Sequence, residues 1–404
     1  VIVKYVLPWY GGSPSVWSTG MLFFQVLLLA GYAYAHLIVS KLNQKQQVIV
    51  HSILLSLSLL MLPVTPDCAL KPTGTEDPVW SIIQLLLITV GMPYVMVSAT
   101  GPLLQHWYSK TELGKSPYRL YALSNFGSLL GLLTYPFFIE PILNLNNQTV
   151  IWSIVYAGFV ILTGYSGRLM YQTTRKWEKI PLKNGIQDNP SIRLFDVFLW
   201  LCLEATAVVI LLAATHYICQ DIAVIPFLWI LPLSLYLLSF IIAFDSPRWY
   251  HRGFWIPLLF LSVGVIFYLL HPKTADVFSI LGVIAIFSFA MFVAVMVCHG
   301  EMFRLRPPAK HLTAFYLVIS MEGAVGGVLV NFVAPYLFTG WWEFPIGFIF
   351  VFLLTGITIL KRPGKKLHPI IRLGTMVLLT VSAVGMIKVT LDIVRDYNEN
   401  VEIA

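Results

Sequence analysis

Residues 277–298 read VFSILGVIAIFSFAMFVAVMVC, and no charged side chain interrupts them. At a rise of about 1.5 Å per residue, a helix of this length crosses roughly 30 Å of hydrocarbon in one pass. Only a helix or a closed barrel satisfies its backbone groups in lipid, and a run this continuous lacks the alternation of a barrel strand. The residues that follow, His299-Gly300-Glu301-Met302-Phe303-Arg304-Leu305-Arg306, turn polar and basic at once. Such a change marks the place where a span meets a charged interface.

The rest of the chain repeats this pattern. Of its 404 residues, 58% are apolar and 11% charged, with a mean hydropathy of +0.79. A soluble domain carries about 25% charged residues, so this chain cannot cover itself with a surface suited to water. Apolar runs place further spans near 16–39, 48–64, 79–106, 117–139, 149–170, 195–217, 223–244, 254–271, 312–338, 341–360 and 371–391. The expectation is an all-α polytopic membrane protein of about 12 helices. A net charge of +7 does not point to nucleic acid, because the basic residues fall in short loops between spans. The partner is the lipid bilayer. Cys68, Cys202, Cys219 and Cys298 form no CxxC pair, so neither a zinc site nor a disulfide framework is indicated.

Loops after odd-numbered spans hold most of the 26 Lys and Arg, while Asp67, Glu76, Asp77, Glu140, Asp221, Asp276 and Glu343 lie on the other side. The positive-inside rule then puts loops 40–47, 168–193 and 361–370 in the cytoplasm. Trp9-Tyr10, Trp17, Trp249-Tyr250 and Trp341-Trp342 sit near span ends, as interfacial anchors do.

Two spans share a design at a constant offset of 196. Tyr121-Ala-Leu-Ser124-Asn125-Phe-Gly127-Ser-Leu-Leu-Gly131 in the fourth matches Leu317-Val-Ile-Ser320-Met-Glu322-Gly323-Ala-Val-Gly326-Gly327 in the tenth. Spans six apart with one orientation predict a six-plus-six parallel repeat of the major-facilitator kind. The expected parts are a first membrane half at 1–170, a basic cytoplasmic linker at 171–194, a second half at 195–360, and an additional helix with an outer segment at 361–404. One further helix is expected before Val1. Gly127, Gly131, Gly323, Gly326 and Gly327 are expected to let helix backbones approach closely.

Several stretches resemble the membrane part of bacterial proteins labelled fused major-facilitator/spermidine-synthase-like: LPWYGGSPSVW (7–17), SATGPLLQHW (98–107), SPYRLYALSNFGSLL (116–130), THYICQDIAVIPFLWILPLSLYLLSF (215–240) and CHGEMFRLRP (298–307) with HLTAFYL. The resemblance implies a multi-pass protein of the bacterial inner membrane, with an extra helix before residue 1. It also implies that relatives carry an aminopropyltransferase-like domain after the last span. No strand, glycine-rich turn and acidic residue follow Leu391 here to hold such a domain's cofactor, so no cofactor and no catalytic residue are expected.

Ionisable residues inside spans are costly and usually face an interior. Glu204 and Glu322 are the deep ones, at positions where the resemblance implies small or apolar residues, and with Asn125 they are candidates for binding a cation or protons. The plain alternative is a protonated glutamic acid bonded to a neighbouring helix or subunit. His216 and Asp221 gather polar groups at the end of the sixth span, either as a site or as an interfacial cap. His106, His299, Glu301 and Arg304 are candidates for a cytoplasmic gate of charge pairs. No histidine pair has convincing haem spacing, and no metal site is expected. The functional expectation is a transporter-like protein moving a small organic cation, such as a polyamine, by alternating access. Two alternatives stand beside it: a membrane subunit that scaffolds a larger complex with other subunits, and a membrane anchor for an aminopropyltransferase-like domain.

Overall fold

A computed structural model describes residues 2–10, 14–67, 70–72, 78–111, 116–177, 192–222, 228–270, 279–328, 343–361 and 384. These residues are about 89% helical, with no strand among them. After a short helix at Ile2–Val6, the chain forms α1 (Pro14–Lys41), α2 (Gln44–Ser58), α3 (Pro78–Ser109), α4 (Tyr118–Ile142) and α5 (Leu145–Trp177). Then come α6 (Leu194–His216), α7 (Ile230–Asp245), α8 (Arg252–Leu270), α9 (Ile280–Leu305), α10 (Leu312–Val328) and α11 (Glu343–Lys361). Among the described residues, 7 helices are long and apolar enough to cross a membrane. The helices at the second and seventh expected spans have 15 and 16 residues, fewer than the roughly 20 a full crossing needs, while the tenth is described as far as Val328. The expected span at 371–391 lies outside the described residues, apart from Val384.

Local sequence explains several boundaries. Only Leu42 and Asn43 separate α1 from α2. The Asn43 side chain accepts from the Gln46 N–H at 3.0 Å while the Gln46 side chain accepts from the Asn43 N–H at 3.1 Å. This reciprocal cap starts α2 immediately after α1 ends. The fifth span runs to Trp177, past the expected start of the linker at 171, and 178–191 lies outside the described residues. Three helices widen into π turns, at Leu87–Gly91 inside α3, Tyr135–Ile139 in α4, and Tyr217–Ile222 beyond α6. Pro93 follows the first and Pro136 lies in the second. A proline brings no N–H to the ladder and crowds the preceding turn, and a widened turn absorbs that without ending the helix.

Contacts divide the chain into two compact units, one of 1–121, 134–191 and 307–324, the other of 122–133, 192–306 and 325–404. In the first unit α1 packs along α3, while α2 packs on α3 and α5. Ala35, Ala99, Leu103 and Trp107 are buried where α1 meets α3, and Leu55, Met96, Tyr156 and Val160 form a second cluster. On α5, by contrast, Ile154, Val155, Ile161 and Leu162 are 67%, 65%, 72% and 67% exposed. Apolar side chains so exposed along one long helix need lipid or protein against them. In the second unit α9 is central, with α6, α7, α8 and α11 all packed on it. Every residue from Val293 to Phe303 is buried, as a helix surrounded by others requires.

Candidate functional site

The buried stretch of α9 carries two ionisable residues, His299 and Glu301, on either side of Gly300. Each meets a partner from a different helix of the second unit. Glu204 comes from α6, where Ala205 and Ala207 are small enough for close helix approach. Its Oε2 lies 3.2 Å from His299 Nε2, and both side chains are fully buried at 0% exposure. On the other side of the imidazole, His299 Nδ1 is 2.8 Å from Ser239 Oγ of α7, and that hydroxyl donates to the Tyr236 carbonyl at 2.6 Å. The ring stacks on Phe240 with centroids 3.6 Å apart and meets the edge of Tyr236 at 5.1 Å. Thus α6, α7 and α9 each supply a polar group to one dry point walled by aromatic rings. Two charges in such a place are stable only when paired and hydrogen-bonded.

The second cluster is a fork. Arg252, at the start of α8, donates to Glu301 through Nε to Oε1 at 2.7 Å and through its second guanidinium arm to Oε2 at 2.6 Å. The Tyr250 hydroxyl donates to Oε1 at 2.8 Å. A planar guanidinium matches a carboxylate in this bidentate way, which a lysine could not do. Burial, and then the neighbouring Glu301 carboxylate, push the Tyr250 phenol well above its ordinary range, so it stays an O–H donor. Arg304 acts on the same phenol in the opposite direction. Gly300 makes the arrangement possible, since a Cβ there would overlap the Tyr250 ring. Beyond these clusters, Trp200 donates from Nε1 to the Leu305 carbonyl at 3.2 Å, and Lys361 of α11 pairs with Asp196 of α6.

The expected residues fare differently. Glu204, His299 and Glu301 meet the partners just described. Arg304 is half-buried next to them in sequence. His106 belongs to the first unit, where it is buried and its Nδ1 has no hydrogen-bond partner among the described residues. The Glu322 backbone lies in α10, but its side chain, like that of Asp221, is outside the described residues, as are the surroundings of Gly327. His216 is exposed at the end of α6 and Asn125 is half-buried on α4.

The glycines separate clearly. At Gly326 an added Cβ would lie 2.6 Å from Val208 Cγ1 on α6. At Gly323 the nearest atom is Gln25 Nε2 at 3.9 Å. Gly127 and Gly131 are exposed, and no described atom comes within 4 Å of an added Cβ. Among the described residues the face of α4 carrying them has no neighbour.

Sequence reading missed Ser239, Arg252 and Tyr250. Tyr250 was expected to anchor at the interface beside Trp249, yet it is 3% exposed whereas Trp249 is 58% exposed. The signal that could have found the fork was charge complementarity, an Arg opening one apolar run and a Glu closing another. Also missed was His51 on α2, 1% exposed in the first unit, with Nε2 3.0 Å from Thr100 Oγ1 and its ring stacked on Tyr34. Beside it Trp107 donates from Nε1 to Gln47 at 3.0 Å. Among the described residues no three His, Cys, Asp or Glu side chains converge to hold a metal ion.

Comparison of the chain with models of known protein families gives no match, and comparison with the curated proteins gives none either.

Proposed function

We propose that this membrane protein is transporter-like and moves a small organic cation, with a polyamine as the first class to test, by alternating access between two repeat-related halves. The observation that carries this reading is the Glu204–His299 pair, a carboxylate and an imidazole fully buried between two apolar helices. Ionisable groups in such places are expensive, and among membrane helices they recur along ion and proton pathways. The resemblance to the fused major-facilitator/spermidine-synthase-like proteins supports the choice of architecture and a twelve-span count. The fork of Arg252, Tyr250 and Glu301 has the form of a charge-pair latch holding α8 to α9 near the end of the span. Formation and release of such a latch is one way a cycle alternates between two states.

The test is counterflow in vesicles. Purified protein reconstituted with unlabelled spermidine inside should accumulate external labelled spermidine above protein-free vesicles. Absence of exchange for spermidine, putrescine and a panel of small amines, with the protein folded and inserted, would reject transport and leave the scaffold reading in its place.

The same reading assigns the chain to a bacterial inner membrane with its basic loops in the cytoplasm. Single cysteines at 67–77 should then react with an impermeant thiol reagent in intact cells, and cysteines at 168–193 should react only after lysis. Labelling of 168–193 in intact cells would reverse the orientation.

A further inference from the structure

We infer that Ser239 fixes the protonation of the Glu204–His299 pair, making it a buried binding site for one proton. The argument is a count of hydrogens. A serine hydroxyl has one hydrogen, and a carbonyl oxygen has none to give. The 2.6 Å contact from Ser239 Oγ to the Tyr236 carbonyl therefore uses the serine hydrogen. At 2.8 Å from the same oxygen, His299 Nδ1 must be the donor, so Nδ1 carries a hydrogen. Only Nε2 faces Glu204, 3.2 Å from Oε2, close enough for an ion pair though not aligned as a hydrogen bond. Were Nε2 a bare lone pair and Glu204 ionised, two electron-rich atoms would face each other in a dry interior. One hydrogen between them removes that conflict, either as imidazolium beside carboxylate or as neutral imidazole accepting from a carboxylic acid. Both forms carry the same number of protons and are neutral as a pair. The bound ligand is H⁺, taken as one N–H or O–H bond and returned to water as the same species.

Without the Ser239 hydroxyl the count changes. His299 could then place its single hydrogen on Nε2, donate it to an ionised Glu204, and leave Nδ1 bare. The pair would hold one proton fewer with no helix movement. Ser239 is thus a positioning residue, acting through His299. The other titratable or charged groups on the helices packed around the pair are Asp196, Cys202 and His216 on α6, Tyr236 and Asp245 on α7, Arg252 and Tyr268 on α8 with Tyr250 just before it, Cys298, Glu301 and Arg304 on α9, and Glu343 and Lys361 on α11; Glu301, Arg252 and Tyr250 are tied up in the fork, and Asp196 pairs with Lys361. The inference concerns the chemistry of the pair, goes beyond the transport reading, and is tested without transport.

The experiment is nitrogen NMR on the whole protein in lipid nanodiscs with ring-labelled histidine. The spectrum of His299→Gln identifies the His299 signals among the 9 histidines. Wild-type protein should show His299 Nδ1 protonated at neutral and mildly alkaline pH, and Ser239→Thr, which keeps the hydroxyl, should match it. Ser239→Ala should switch to an unprotonated Nδ1 as pH rises over that range. A wild-type Nδ1 without its hydrogen overturns the inference, as does a Ser239→Ala spectrum that follows wild type. If Ser239→Ala does not fold, the wild-type tautomer alone decides.

Discussion

Arg252→Ala should cost the protein about 3–5 kcal/mol, because it leaves Glu301 buried and without its charge partner. Glu301 is 0% exposed and receives both arms of the fork from Arg252. Tyr250 alone would then face an ionised carboxylate that water cannot reach. The readout is thermal unfolding in detergent followed by size-exclusion chromatography, where the variant should aggregate well below wild type. The paired replacement of Arg252 and Glu301 by Met should recover most of the loss, since it removes the stranded charge together with its partner. Equal melting of Arg252→Ala and wild type would show that the fork is not formed.

The second large effect is expected in the other unit, at Gly31. A Cβ at this position would lie 2.7 Å from Ser98 Cβ and 2.8 Å from the Val95 carbonyl oxygen. Neither is the far end of a flexible side chain, so α1 and α3 would have to move apart. Gly31→Leu should therefore cost at least the roughly 1–3 kcal/mol typical of overpacking. Gly127→Leu is the matched control, opening onto space among the described residues, and should stay within about 0.5 kcal/mol of wild type as other substitutions away from packed features do. Melting curves of the two variants side by side check this. A harmless Gly31→Leu would contradict the close contact of α1 with α3.

These glycines show where sequence reading stops. Hydrophobic run length found the helices because a membrane crossing imposes a minimum number of apolar residues, and α6 and α9 stand out on that ground alone. Glu204 was legible for the same reason, a carboxylate being conspicuous in an apolar run. Its partner was only half legible. His299 appeared as a residue closing a span, and nothing in the spacing linked it to Glu204, because helix rotation and neighbour choice are set by packing across the bundle. Small-residue spacing shared this weakness. It marked Gly326, which meets Val208, and equally Gly127, which meets nothing described. Ser239 carried no signal at all, since a serine in a span most often bonds its own helix carbonyl, as this one does while also lying 2.8 Å from His299 Nδ1.

If the proposed transport uses the buried pair, Glu204 and His299 couple a proton to the movement of a cation. Vesicles containing the protein and a trapped pH-sensitive dye test it most directly when external spermidine is added under zero membrane potential. Wild type should change the internal pH in step with spermidine entry. Glu204→Gln keeps the size and hydrogen bonding of the side chain but cannot exchange the proton, and should leave the pH unchanged while remaining folded. A pH change in Glu204→Gln equal to that of wild type would contradict the account.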